Sequence, residues 1–191
     1  MEVNETAKKY KKQERKYTYA DYADWDDGNR YELIDGEVYM MSAPSIAHQR
    51  VIRKLLHQLT SFLIGKSCEV FCAPVDVCLN ALGDSDSTVV QPDIIVVCDQ
   101  TKLDTKRCNG APDMVVEILS PSTARHDRMV KFQQYQKAGV REYWIVDPDT
   151  MTLSVHILEN SRYIIHVYSE EDKAPVHVLE GCEINLAEVL A

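Results

Sequence analysis

The 191 residues suffice for one domain with a sizeable core, and the 45% hydrophobic and 27% charged residues are typical of a soluble globular protein. No apolar run approaches the ~18 residues that cross a bilayer, and the polar N-terminus lacks a signal-peptide core, so we expect no membrane association and a cytoplasmic location. The net charge is −9 overall and −12 over residues 17–191, which argues against broad non-specific DNA binding but leaves room for a locally positive cleft.

The chain begins with a basic segment, since six of residues 8–16 are lysine or arginine. We interpret residues 1–16 as a flexible lead-in and residues 17–191 as a single domain. Thr18 can cap a short helix that reaches about Asp26.

An N-terminal hairpin follows. Two alternating runs, residues 31–34 and 37–41, flank Asp35-Gly36, and this dipeptide strongly favours a type I′ turn.

A long amphipathic helix is predicted from Ser45, its cap, to about Lys66, with a stop near Gly65. His48 falls on its apolar stripe, one turn before Ile52. The other apolar residues at helical spacing are Leu55, Leu56, Leu59, Phe62 and Leu63.

The rest of the chain alternates strands with polar connections and one more long helix. Gly139 is well placed to end that helix, and Asp84 and Asp86 are expected to be solvated in a turn-rich loop. The predicted strands are 69–80, 93–98, 114–119, 142–146, 152–158, 163–168 and 176–179, and the predicted helices are 120–138 and 186–190. This order predicts a mixed α/β fold with a central sheet covered by two helices and with hairpins added near both ends.

The six cysteines match no zinc-binding spacing and form no CxxC pair. In a cytoplasmic protein we expect all of them to be reduced.

Two acids stand within short apolar runs of the kind that form buried strands, Asp93 in residues 91–97 and Glu117 in residues 114–120. Burying an ionised carboxylate there costs several kcal/mol, roughly, unless a cation or a donor compensates it. Together with Lys131 on the following helix, the two acids are a plausible site for a divalent metal and an activated water.

The residues that share the helix face of Lys131 are Ala124, Asp127, Arg128, Gln134, Tyr135 and Ala138. The two alanines and the tyrosine among them indicate close packing. That face favours a lysine directed at the sheet, with Asp127 one turn earlier as its partner. A solvated helix lysine is the open alternative.

These motifs resemble the putative restriction endonuclease family of the restriction-endonuclease-like PD-(D/E)XK superfamily, over roughly residues 17–190. The matching features are Pro92-Asp93, Glu117 with the Ser120-Pro121-Ser122-Thr123 run, Lys131, Tyr135, residues 138–148, residues 31–37 and His48. The superfamily's lysine usually stands two residues after the second acid, where this chain has Leu119. The resemblance implies that Lys131 fills that place from the helix.

The resemblance further implies a restriction-endonuclease-like fold and an endonuclease that hydrolyses phosphodiester bonds, with DNA as the expected substrate. Asp93 and Glu117 would hold Mg²⁺ or Mn²⁺, and Lys131 would complete the catalytic set. Glu32, Glu37 and His48 are auxiliary candidates, although each has a structural reading as well, and Asp76 is a weaker one.

The alternative function is a catalytically silent module that keeps the fold and binds nucleic acid or protein, because fold does not imply activity. A structural partner in a defence system is a third possibility. A homodimer is expected from the resemblance and from how common two-fold dimers are.

Overall fold

The computed structural model describes residues 15–121 and 124–191 of the chain. Most of the predicted lead-in, 1–16, therefore lies outside the described residues. Ser122 and Thr123, at the start of the second predicted helix, lie outside them too.

The described residues contain four α-helices and thirteen strands. The helices are α1 (Tyr19–Tyr22), α2 (Ile46–Leu63), α3 (Phe132–Ala138) and α4 (Leu186–Leu190). The strands are β1 (Tyr31–Ile34), β2 (Glu37–Met40), β3 (Glu69–Cys72), β4 (Asp76–Cys78), β5 (Val89–Val90), β6 (Ile94–Val97), β7 (Arg107–Asn109), β8 (Met114–Ile118), β9 (Glu142–Asp147), β10 (Thr152–Glu159), β11 (Arg162–Ser169), β12 (Lys173–Pro175) and β13 (Glu183–Asn185).

The strands form two large sheets where the sequence predicted one central sheet. One sheet has the order β2-β1-β5-β4-β7, the other has the order β11-β10-β9-β8-β6-β3, and β12 pairs with β13 alone. The β4–β7 and β8–β9 pairs are parallel and the other pairs are antiparallel. The predicted mixed α/β class with helices flanking the sheet is confirmed.

The predicted strand 69–80 was wrong, because the segment divides at Pro74 into β3 and β4. Proline has no N–H to donate to a ladder, so a central strand cannot run through it. β3 joins the edge of the six-stranded sheet, whereas β4 crosses to the five-stranded sheet. β5, β7, β12 and β13 were also missed, since two or three residues are too few to show a period. The predicted strand 176–179 was wrong, because these residues lie in the connection between β12 and β13.

The first hairpin and the long helix form as predicted. Asp35 and Gly36 both have positive φ, 50° and 80°, which a type I′ turn requires. The Ser45 side chain accepts a hydrogen bond from His48 N at 3.2 Å and caps α2.

Helices cover both faces of the six-stranded sheet. Alternate residues of β8 point to opposite faces, so that Val116 packs with Leu55 and Leu59 of α2, whereas Val115 packs with Tyr135 of α3. α2 packs on one face of the sheet and the helix that carries Lys131 packs on the other. The N-terminal end of α2 and Lys131 therefore lie near the same end of β6 and β8.

Cys68 and Cys98 form a disulfide, which corrects the expectation that all six cysteines are reduced. The two cysteines flank the paired strands β3 and β6. Within residues 15–121 and 124–191, no helix is long and apolar enough to cross a membrane.

Candidate active site

The two strand-borne acids lie side by side at one end of the β6–β8 pair. The antiparallel register aligns Ile94 with Val116, which brings Asp93, just before β6, next to Glu117 in β8. The amide of Ile118 donates a hydrogen bond to Asp93 Oδ2 at 2.7 Å. Sheet register therefore unites two acids that are separated by 24 positions in the sequence.

Glu117 is the more deeply buried of the two acids, with 6% of its side chain exposed. Its Oε1 accepts hydrogen bonds from Lys131 Nζ at 3.0 Å and from the Tyr135 hydroxyl at 2.7 Å. Burial raises the pKa of Glu117 well above its ordinary value, although the charge of Lys131 acts in the opposite direction. The two donors hold the carboxylate in one orientation.

Lys131 points into the protein, so the alternative of a solvated helix lysine does not apply. Its ammonium lies 2.9 Å from Glu32 Oε1, 3.0 Å from Glu117 Oε1 and 3.6 Å from Asp127 Oδ1. Burial alone would lower the pKa of Lys131, but the charges of Glu117, Glu32 and Asp127 outweigh it and raise this pKa well above its ordinary value. Lys131 is therefore a fixed positive charge among carboxylates.

The helix that carries Lys131 differs from the regular α-helix that was predicted. Residues His126–Lys131 form a π-helical turn, and α3 begins directly after it. Such widened turns occur frequently at functional sites. As predicted, Gly139 ends the helix with a left-handed conformation, φ 86°.

Asp93 is the more accessible acid, with 16% of its side chain exposed. His48, from the first turn of α2, places Nε2 3.1 Å from Asp93 Oδ2. Burial lowers the pKa of His48, but the hydrogen bond and the charge of Asp93 outweigh burial, so the net pKa is raised. The imidazole thus connects α2 to the acids.

Of the auxiliary candidates, Glu32 and His48 join the cluster and Glu37 does not. Glu32 is buried in β1, and its Oε1 also accepts a hydrogen bond from Gln91 N at 2.8 Å. Strand alternation turns Glu37 away from the cluster, so its side chain is exposed. It pairs with Lys16 at 3.4 Å. Asp76 has an indirect link, since it accepts a hydrogen bond from Gln91 Nε2 at 2.8 Å.

Among the described residues the cluster combines four carboxylates with one lysine and one histidine. The carboxylates are those of Glu32, Asp93, Glu117 and Asp127. Even with His48 protonated, negative charge exceeds positive charge in a largely buried space, which costs several kcal/mol, roughly, without a further cation. The charge balance and the oxygen donors therefore fit a hard divalent cation.

The residues around the cluster do not form a closed metal cage. No group of three or more histidine, cysteine or acidic side chains within residues 15–121 and 124–191 is arranged to hold a metal ion. Mg²⁺ needs no such cage, because it keeps several waters and often binds through only one or two carboxylates. Asp93 and Glu117 are enough for that mode.

Gln91 contacts the cluster through Glu32 and was missed by sequence reasoning. It precedes Pro92-Asp93, and its backbone amide holds Glu32 while its side chain contacts Arg30, Tyr22 and Asp76. Nothing in its sequence context marks it out, because its partners lie in distant segments.

Comparison with known proteins gives concordant results. The family model Uma2, described as putative restriction endonuclease, matches residues 19–187. Two uncharacterized proteins of Synechocystis sp. are similar in sequence, one with 27% identity over 80% of each chain and one with 25% identity over 61% of this chain and 65% of the relative. A crystal structure of a putative nuclease belonging to DUF820 from Anabaena variabilis superimposes with a TM-score of 0.72 at 18% identity, covering 91% of this chain and 97% of the other. That structural likeness establishes a shared fold.

Proposed function

Because the chain belongs to the Uma2 family of putative restriction endonucleases, we propose that it is a metal-dependent endonuclease that hydrolyses phosphodiester bonds of DNA. The observation that carries the proposal is the contact of Lys131 with Glu117, at 3.0 Å, beside Asp93. These are the three residue types that the chemistry requires, and they converge although Leu119 stands in the usual position of the lysine.

In the proposed site, Asp93 and Glu117 would hold Mg²⁺ or Mn²⁺. The bound ion would supply Lewis acidity and a water activated for attack on phosphorus. A cation bound there would offset the excess negative charge of the cluster.

The chain's own residues would orient the reactants and balance charge. Lys131 carries a fixed positive charge that can stabilise the negative charge developing on the phosphoryl oxygens. Tyr135 keeps Glu117 in place through its 2.7 Å hydrogen bond, and His48 does the same for Asp93 at 3.1 Å. Glu32 also holds the lysine ammonium, at 2.9 Å.

Cleavage of plasmid DNA and of a labelled oligonucleotide duplex, titrated with MgCl₂ and MnCl₂, tests the proposal. We expect metal-dependent cleavage, lowered at least ~100-fold in kcat/KM by Asp93→Asn, Glu117→Gln and Lys131→Met, since removing one charge-stabilising group costs about that much. Glu159→Gln, an exposed acid at the end of β10, is the matched control and should cleave like the wild type.

Two results would contradict this assignment. Cleavage that survives both Asp93→Asn and Glu117→Gln would show that the reaction occurs elsewhere. Salt-sensitive DNA binding without cleavage at any metal concentration would instead favour the catalytically silent module. Circular dichroism of each variant separates loss of activity from loss of folding.

The proposed active form is a homodimer located in the cytoplasm. Two-fold dimers are the most common soluble assemblies, and the dimer is tested together with the domain organisation below.

A further inference from the structure

One long stretch of this acidic chain contains no acidic residue. Residues 38–68 hold neither aspartate nor glutamate over 31 positions, whereas they include Arg50, Arg53, Lys54 and Lys66. No other acid-free stretch of the chain is as long. The segment is therefore a positively charged region within a protein whose net charge is −9.

Within this stretch the basic side chains share one face of α2. Arg50, Arg53, Lys54 and His57 follow the spacing i, i+3, i+4, i+7, which places the last three within about 60° of Arg50 around the helix. We call these four residues the basic track. The track lies opposite the buried face of α2 that is formed by Val51, Ile52, Leu55, Leu59 and Leu63.

The track is available for an external anion. Arg50, Arg53 and His57 are exposed and Lys54 is half-buried. Within the described part of the chain, neither Arg50 nor Arg53 forms an ion pair. Lys54 Nζ donates to the backbone oxygen of Ala191. Two adjacent arginines without an acidic partner favour a ligand with negative charges at regular spacing.

The neighbouring helix α4 sets one boundary of the track. Glu188 accepts a hydrogen bond from Gln58 at 3.5 Å, on the side of α2 that faces α4. The positive field is therefore strongest toward the N-terminal half of α2, around Arg50 and Arg53.

The track and the candidate active site lie on different faces of α2 and are joined at its N-terminal end. His48 lies two residues before Arg50 and contacts Asp93, the more exposed of the two proposed metal ligands. From Arg50 to His57 the helix rises about 10 Å. One DNA strand places a phosphate about every 3.4 Å along its axis, so the track can span roughly three phosphates.

We propose that the basic track binds the phosphate backbone of duplex DNA and guides it to the cluster at the N-terminal end of α2. This inference rests on the proposed nuclease function and adds the surface by which an acidic protein holds its substrate. A local concentration of positive charge on one surface can attract DNA even when the net charge is negative.

The test measures DNA binding and DNA cleavage separately. Binding of a fluorescein-labelled 30-bp duplex is followed by fluorescence anisotropy from 25 to 200 mM KCl in EDTA, for the wild type and for the double variant Arg50→Gln/Arg53→Gln. The matched control is Lys137→Gln/Arg162→Gln, which removes two exposed positive charges of α3 and β11, outside the basic track. Glutamine keeps good helix propensity in α2.

For the track variant we expect weaker binding and a decrease of about 2 in the slope of log affinity against log salt, which corresponds to two lost phosphate contacts. The control should keep the wild-type slope. In Mg²⁺ or Mn²⁺ the track variant should raise KM and leave kcat within about twofold, because uniform binding is lost without loss of transition-state interactions.

Other outcomes separate this inference from the proposed function. The proposed role of the basic track would be contradicted if DNA affinity fell equally in the track and control variants, or if the wild type did not bind DNA. Wild-type cleavage with unchanged KM in the track variant would also overturn it and leave the nuclease function standing. DNA binding that depends on the track, without cleavage, would support the proposed role of the track and refute the proposed nuclease function.

Discussion

At the scale of single residues, the number of donors around a carboxylate decides its role more than its position in a loop. Asp86 is fully buried and accepts hydrogen bonds from Asn80 N, Asn80 Nδ2 and Thr88 N at 2.8–2.9 Å. Asp84, two residues earlier, has 74% of its side chain exposed and pairs with Arg107 at 2.9 Å. The expectation that both are solvated was correct for Asp84 and wrong for Asp86.

This difference gives a prediction for stability. Asp86→Ala should lower the free energy of unfolding by about 2–4 kcal/mol, because it leaves the buried amide of Thr88 and the partly buried donors of Asn80 without an acceptor. Asp84→Ala should change the free energy of unfolding by less than about 1 kcal/mol, since exposed ion pairs contribute little. Urea denaturation of both variants compares the two effects, and an effect of Asp86→Ala as small as that of Asp84→Ala would contradict the structural role of Asp86.

At the scale of elements, the disulfide closes the edge of the six-stranded sheet. Cys68 and Cys98 lie just outside the paired strands β3 and β6, so the bond ties the edge strand to the strand that follows Asp93. The 30-residue separation in sequence means that the bond restricts a sizeable loop of the unfolded chain.

The disulfide can be tested by counting thiols. In denaturant without reductant, four thiols should react with Ellman's reagent, and six should react after reduction. Cys68→Ser/Cys98→Ser should lower the free energy of unfolding by about 3–4 kcal/mol, the loop-closure value for this separation. Cys72→Ser, a cysteine that is free in the structure, is the control. Six reactive thiols before reduction would restore the expectation of a fully reduced protein.

At the scale of the whole molecule, the two apolar cores share the six-stranded sheet as a common wall. One core lies under α2 and includes Trp144, and the other lies under α3 and includes Tyr143, the adjacent residue of β9. Because neighbouring residues of one strand serve both cores, loss of either core would expose the same sheet.

We therefore predict that residues 17–191 unfold as a single domain in one cooperative transition. In scanning calorimetry the calorimetric and van't Hoff enthalpies should agree for that transition. If the active form is a homodimer, the van't Hoff analysis must include dissociation, and Tm should rise with protein concentration. Two resolved transitions would contradict the single domain, and a Tm independent of concentration would contradict a dimer that dissociates on unfolding.

Local sequence patterns were sufficient for the elements whose signals lie within a few residues. The Asp35-Gly36 dipeptide predicted its turn, Ser45 predicted the start of α2, and the acid-bearing apolar runs predicted β6 and β8. Helical periodicity also indicated that Lys131 faces the sheet, because side-chain direction follows from backbone geometry. These features depend on short-range sterics and hydrogen bonds, which the sequence specifies directly.

Only the tertiary structure decided which distant residues meet. The contact between Glu32 and Lys131 joins a strand of the first hairpin to a helix 99 positions later, and Glu37 on the same hairpin stays outside the cluster. The order of the strands in the two sheets, and the break at Pro74 between β3 and β4, determine which of these residues come into contact. No local period encodes strand order, because it results from packing the whole chain around the two cores. The sequence by itself thus determined the acids and the lysine, and the fold determined that they share one site with Glu32 and His48.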